Sequence, residues 1–384
     1  MIDEKLFQLV TNIRRDIHEN PETGFDVQRT AAIVADELNK LGIRVKTKVG
    51  VSGVVGDIEV PGASKKIALR ADMDALPMQE EGRPSYRSKI DGKAHMCGHD
   101  SHTAMLIGAA NILMNAKQKL KTSVRFIFQP SEEMVPGGAL GMIDEGCLEG
   151  VSAIYGLHVW PWLDTGIVGV CPGPMMAQAD YFFIEIQGKG GHAAAPHEVV
   201  DPLYIGSQLV SMMQSLVSRR CNPQDPAVVS ITQFQAGSAY NVIPESAFIS
   251  GTVRTYSPQL LKIIKTELQR LVDQGVSSFG AKATLNYRNG YPPLVNTEAE
   301  SENVKHVAQS FLEKEKILYP AERVMFGEDF AYYLHHVPGC FIQLGCRNYS
   351  KECIYPLHHP KFNLDEDCMK IGIRLLAEII IRNK

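Results

Sequence analysis

The sequence contains no uninterrupted apolar run of the roughly 18–20 residues that a membrane-spanning helix needs. It has no polybasic tail and no basic stripe. Its 39 lysines and arginines stand against 43 aspartates and glutamates, a net charge of −4, which argues against nucleic acid as a partner. No Cys-x-x-Cys pair occurs, which argues against a zinc ribbon or a thioredoxin-type site, although eight cysteines are scattered along the chain. The opening Met1-Ile2-Asp3-Glu4-Lys5 lacks the charged-then-apolar layout of a secretion signal. The expectation is a cytoplasmic protein whose thiols are mostly free. There is no internal repeat, low-complexity tract or charge block, and 45% hydrophobic residues supply a substantial core.

At 384 residues the chain exceeds the roughly 250–300 that one core normally fills, so two domains are expected. Leu6, Leu9, Val10, Ile13 and Ile17 recur at helical spacing, and a second helix is predicted over 30–41, with Gly42 as its stop. Short apolar runs over 51–60 and 66–71, a helix over 103–114 and strands over 123–129 and 153–159 follow. Such alternation predicts an α/β layer fold. From Ala179 to Tyr287 the rhythm changes to strand (181–187), helix (202–218), two strands (227–235 and 247–255), helix (258–274) and strand (281–287). That is the β-α-β-β-α-β order of ferredoxin-like domains. Helices over 298–312 and 365–381 restore the first pattern. The simplest organisation is a discontinuous catalytic domain, 1–178 and 290–384, interrupted by a smaller domain, 179–289.

Five polar clusters carry the chemistry. Ala71-Asp72-Met73-Asp74 and Ser131-Glu132-Glu133 each follow a predicted strand, and His158 is expected to end one. His95-Met96-Cys97-Gly98-His99-Asp100-Ser101-His102 precedes an apolar helix, and His358-His359 lies in a proline-flanked loop. In open α/β sheets ligands gather at the carboxyl ends of strands, so residues distant in sequence meet there. Thiolate, imidazole and carboxylate are donors that zinc, manganese or cobalt accept, and a thiolate such as Cys97 can bridge two ions. Gly98 lets the backbone approach closely. Paired Glu132-Glu133 offers one carboxylate as ligand and one as general base, whereas a saturated structural zinc site has no use for a spare acid. Taken singly each cluster has a duller reading: a buried histidine is usually a satisfied core residue, and Glu-Glu after a strand usually faces solvent.

The segments His95–Asp100, Gln129-Pro130-Ser131-Glu132-Glu133, Gly156-Leu157-His158-Val159-Trp160-Pro161 and Leu357-His358-His359-Pro360 resemble those of the dinuclear metallo-amidohydrolases. That family includes hippurate hydrolases, N-acyl-amino-acid deacetylases and indoleacetyl-amino-acid hydrolases. Arg70–Pro77, Gly327-Glu328-Asp329-Phe330 and Gly191–His197 match as well, so the resemblance covers essentially the whole chain. It implies a zinc-peptidase-like catalytic domain, with a mixed sheet flanked by helices, and an inserted lid and dimerisation domain.

Carried onto this chain, the resemblance makes Cys97, His99, Glu133, His158 and His358 ligands of two divalent ions (Mn2+, Zn2+, Co2+ or Ni2+), with Cys97 bridging. Glu132 becomes the base, and His192 the oxyanion stabiliser reaching a partner subunit's site. Asn241 and Arg254 become lid residues near the substrate, and Asp74 orients the cluster without binding metal. His359 departs from the family, at a position often small or polar in relatives. The implied activity is metal-dependent hydrolysis of N-acyl amino acids (acetyl, benzoyl or similar) by a homodimer, with no nucleic-acid or membrane partner. Two other readings stand beside it: a metallo-dipeptidase or aminopeptidase, and a non-enzymatic metal-binding relative.

Overall fold

The computed structural model describes residues 2–383, and the chain falls into two units, each with its own apolar core. The first comprises Met1–Met175, Val295–Arg323 and Asp329–Lys384. Its eight-stranded sheet runs, in spatial order, Arg44–Val49, Gly53–Ile58, Ser123–Gln129, Lys66–Asp72, Ala153–Asp164, Gly339–Arg347, Val168–Gly169 and Ile317–Leu318. The four middle strands, from Ser123–Gln129 to Gly339–Arg347, are mutually parallel, while Gly53–Ile58 joins Ser123–Gln129 antiparallel. The sheet is therefore mixed. Buried on nearly every residue, those middle strands read as continuous apolar runs rather than alternating ones.

The expected elements form with shifted ends. The run over 51–60 is a strand only over Gly53–Ile58, because Val51 sits at φ 84° in the preceding turn. Arg44–Val49 is a strand that the sequence did not announce. It is largely exposed at the sheet's edge and carries Arg44, Lys46 and Lys48, charges that blunt an open edge but erase the apolar alternation. The strand over 153–159 continues to Asp164, so His158 lies inside it rather than at its end. The reason is the neighbouring parallel strand, which pairs Leu344 with Val159 and Arg347 with Asp164.

The helix predicted over 103–114 begins at His99 and runs to Asn115. Its first turn is polar yet fully buried, so apolar spacing missed it. Gly98, at φ 90°, caps this turn, and its carbonyl accepts the Ser101 hydroxyl at 2.6 Å and the His102 amide at 3.2 Å. A Cβ at position 98 would stand 2.4 Å from Val159 Cγ2, so both backbone twist and space require glycine. The opening helix, Glu4–Glu19, is tied to the same turn: Arg14 Nε and His18 Nδ1 lie 2.7 and 2.8 Å from Asp100 Oδ2. Burial opposes ionisation of Asp100, but Arg14 and His18 together outweigh it and hold the carboxyl far below its ordinary value.

The second unit comprises Met176–Leu294 and Val324–Glu328. Its four strands lie in the order Ala227–Ala236, Ser246–Thr255, Gln178–Gln187, Lys282–Arg288, all antiparallel. Helices Pro202–Ser215 and Pro258–Arg270 connect them, each started by a capping side chain (Asp201 and Ser257) with proline at the first helical position. Phe182, Ile184 and Ile186 alternate inward against Ile205, Leu209, Ile264 and Leu268. The strand order and connections are those of a ferredoxin-like sheet. Among the described residues no helix is long and apolar enough to cross a membrane, and all eight cysteines are free.

Candidate metal centre

Parallel pairing brings the carboxyl ends of Ser123–Gln129, Lys66–Asp72 and Ala153–Asp164 side by side. Asp74 and Glu132-Glu133 follow two of them, His158 lies in the third, and Cys97-Gly98-His99 begins the buried helix beneath. The first unit thereby gathers Cys97, His99, Glu132, Glu133, His158 and His358 from segments far apart in sequence. Potential ligand atoms of Cys97, His99 and His158 lie within 4.8 Å of one another, as do those of Cys97, Glu133 and His358, and of His99, Glu132 and Glu133. Cys97 is shared by the first two groups, as His99 is by the first and third and Glu133 by the second and third.

Individual contacts orient each donor. Cys97 Sγ is 3.4 Å from His158 Nε2, and Glu133 Oε1 is 3.2 Å from His358 Nε2 and 3.9 Å from His99 Nε2. His99 Nδ1 meets the Asp74 carbonyl at 2.9 Å, and His158 Nδ1 meets the Val159 carbonyl at 2.7 Å. A carbonyl only accepts, so both Nδ1 atoms carry hydrogen, and in the neutral rings both Nε2 lone pairs face the cluster. The Asp74 carboxylate grips two successive amides, Glu132 N–H at 2.9 Å and Glu133 N–H at 3.2 Å. It thus aims the Glu-Glu pair without itself joining a ligand group. His358 stands at φ 63°, and its amide donates to the Met96 carbonyl at 2.8 Å, which pins this loop residue beside Cys97.

The donor set suits divalent cations. His99 Nε2 is buried without a hydrogen-bond partner, and it faces Glu133 Oε1 across the cluster at 3.9 Å. Burial, then Glu133, Glu132 and Asp72, push the Cys97 thiol far up, the mark of anionic donors crowded together. Burial opposes charge on His99, but Asp72, Asp74 and Glu133 outweigh it and push its pKa up to about 10. The same negative field that draws a proton onto His99 favours a cation there instead. Burial likewise works against ionised Glu133, but His358 and His99 hold its carboxyl below the ordinary range.

The adjacent imidazole, His359, lies elsewhere: it stacks on Tyr355 at 4.5 Å, and its Nδ1 accepts the Lys361 amide at 3.1 Å. The remaining expected residues belong to the second unit. His192 is exposed on a short strand paired with Val242-Ile243, and its Nδ1 accepts the Ala194 amide at 3.0 Å, which leaves Nε2–H as a free donor. Asn241 is exposed, with its carbonyl taken by Ala193 N–H at 3.1 Å. Arg254 is half-buried, donates to the Asp180 carbonyl at 3.3 Å and to the Thr252 hydroxyl, and lies over the Tyr181 ring at 5.6 Å.

Sequence reasoning gave no role to a buried layer below the cluster. Arg70 donates to Asp72 at 2.6 Å, to Gln129 at 3.0 Å and to Asp329 at 2.9 Å, and Gln129 also donates to Asp329 at 2.7 Å. Burial pushes Asp329 up to about 6 despite Arg70. The available signal was an arginine in an otherwise apolar strand, since a buried arginine must be paired.

Comparison with known proteins places these features in a lineage. Residues 68–382 match the profile of peptidase family M20/M25/M40. The chain is 38% identical over 376 residues to thermostable carboxypeptidase 2 of Saccharolobus solfataricus, covering 97% of this chain and 95% of that protein. It is 38% identical over 382 residues to the N-acetylcysteine deacetylase of Bacillus subtilis, covering 99% and 98%. The crystal structure of Bacillus subtilis YXEP, described as a dinuclear metal binding peptidase from the M20 family, superposes with a TM-score of 0.85 at 35% identity, covering 99% of this chain and 98% of that one.

Proposed function

The chain belongs to peptidase family M20/M25/M40, and from that premise we propose that it hydrolyses the amide bond of N-acyl amino acids to a carboxylic acid and a free amino acid. The observation that carries this reading is the convergence of Cys97, His99, Glu133, His158 and His358 with a second carboxylate, Glu132, among them. These five side chains would hold two divalent ions, of manganese, zinc, cobalt or nickel, with Cys97 shared. Such ions, when bound, polarise the acyl oxygen and acidify the attacking water.

The rest is work for the chain's own groups. Glu132, its amide held by Asp74, takes a proton from the water and returns it to the departing amine. His192 donates its Nε2–H to the developing oxyanion. Arg254, with Asn241, grips the substrate carboxylate, a group that a guanidinium holds with two parallel hydrogen bonds. In this proposal the discontinuous segments 1–178 and 290–384 are the catalytic domain, and 179–289 is a lid through which two copies pair in the cytoplasm.

A panel of N-acetyl and N-benzoyl amino acids, dipeptides and tripeptides, assayed with each metal after chelation, tests the activity. Release of amino acid from the acylated compounds is expected. Cleavage confined to peptides with a free amino terminus would replace the proposal with a peptidase, and metal uptake without any hydrolysis would leave a binding protein. The dimer has its own test. If His192 serves the neighbouring subunit's site, mixing inactive Glu132→Gln with inactive His192→Ala subunits should restore up to about a quarter of native activity, from hybrid dimers with one intact site. No recovery despite proven subunit exchange would place His192 outside catalysis in trans.

A further inference from the structure

A second buried group, Asp72, His99 and His102, also has its potential ligand atoms within 4.8 Å of one another. It is not a second metal site, because both nitrogens of His102 are committed. Val159 N–H points at His102 Nε2 from 2.9 Å, and a backbone amide can only donate. Nε2 must therefore accept, and the hydrogen of His102 resides on Nδ1, 2.7 Å from Asp72 Oδ1. The other oxygen of Asp72 accepts from Arg70 at 2.6 Å. Every donor in this row faces an acceptor, and all three side chains are essentially inaccessible.

The row ends on the residue that follows a ligand. The amide clamped by His102 is the one joining His158 to Val159, and the carbonyl of Val159 orients the His158 ring through its Nδ1. The two rings also pack directly, 4.5 Å apart at 68°. We propose that His102 is a positioning residue for the metal centre: through the Val159 amide and the ring contact it holds His158 Nε2 toward Cys97. The inference rests on the reading of His158 as a ligand. Outer-shell partners of this kind typically govern metal affinity by about 10–100-fold.

Two substitutions separate the halves of the row. His102→Gln places an acceptor oxygen near the former Nε2 and keeps the clamp on Val159. His102→Asn places a donor near the former Nδ1, which satisfies Asp72 and abandons Val159. Cobalt titration of the full-length protein against a competing chelator, monitored by the thiolate-to-cobalt absorption of Cys97, reads affinity and ligand geometry together. We expect His102→Asn to bind cobalt about 10–100-fold more weakly with an altered absorption band, and His102→Gln to stay within a few-fold of the native protein. Equal affinity in both variants, or equal loss in both, overturns the inference. If His102→Asn does not fold, Asp72→Asn carries the test. Its oxygen must face Arg70, so its amide forces the His102 proton onto Nε2, against the Val159 N–H. Native cobalt affinity in Asp72→Asn would overturn the inference equally. Failure of the unmodified protein to bind cobalt is a different result, and defeats the metal reading itself.

Discussion

Replacing Glu132 with glutamine is expected to leave metal content intact and reduce turnover about 10²–10⁴-fold, the range over which a positioned general base contributes. The amide has the shape of the carboxylate, and the Glu132 backbone remains held by Asp74 at 2.9 Å, so the geometry of the pair should survive. What disappears is the capacity to accept a proton from water and hand it to the amine, a step that glutamine cannot perform at neutral pH. Because loss of the proton carrier raises the barrier rather than weakening substrate binding, the fall should appear in kcat, with KM little changed. Elemental analysis alongside steady-state kinetics on an N-acetyl amino acid checks both halves. Full activity in the metal-loaded variant removes Glu132 from the mechanism.

The second large effect is expected from Cys97→Ala. Cys97 belongs both to the group with His99 and His158 and to the group with Glu133 and His358. Losing one sulfur therefore degrades two ligand sets at once, and should weaken metal binding by more than the ~100-fold that an outer-shell change causes. Activity should fall with occupancy, and excess metal should restore only part of it. His358→Ala, which strips one set alone, should retain part of the metal. His359→Ala is the control: stacked on Tyr355 and outside every ligand group, it should bind metal as the native protein does. Equilibrium dialysis of the three variants distinguishes these outcomes, and native stoichiometry with native affinity in Cys97→Ala would end the bridging assignment.

Much of this cluster is legible in the amino-acid sequence, for reasons that lie in particular residues. Cys97-Gly98-His99 and Glu132-Glu133 are donors one or two residues apart, so local chain geometry already confines them. The strands Ser123–Gln129 and Lys66–Asp72 are apolar and bounded by turn residues, which betrays buried sheet and hence the edge where ligands collect. Less legible was the first turn of the His99–Asn115 helix, where buried polar side chains break the apolar period. The same burial hid the row from Arg70 through Asp72 and His102 to Val159. A fully buried histidine and a surface histidine are one letter, and only the packed fold distinguishes them.

The amino-acid sequence by itself determined the donor types, their grouping into segments, the alternation that builds an α/β layer fold, and the β-α-β-β-α-β order of the second unit, because these depend on short-range periodicity and on what each side chain can bind. Tertiary structure alone decided that His158 sits inside its strand, that His359 turns aside to stack on Tyr355 while His358 stands beside Glu133, and that His102 is buried between Asp72 and the Val159 amide. Those outcomes depend on directions: which nitrogen a carbonyl or amide faces, and which loop residue at positive φ is pinned beside Cys97 by the Met96 carbonyl. Spacing along a chain carries no information about such directions until distant segments have packed against one another.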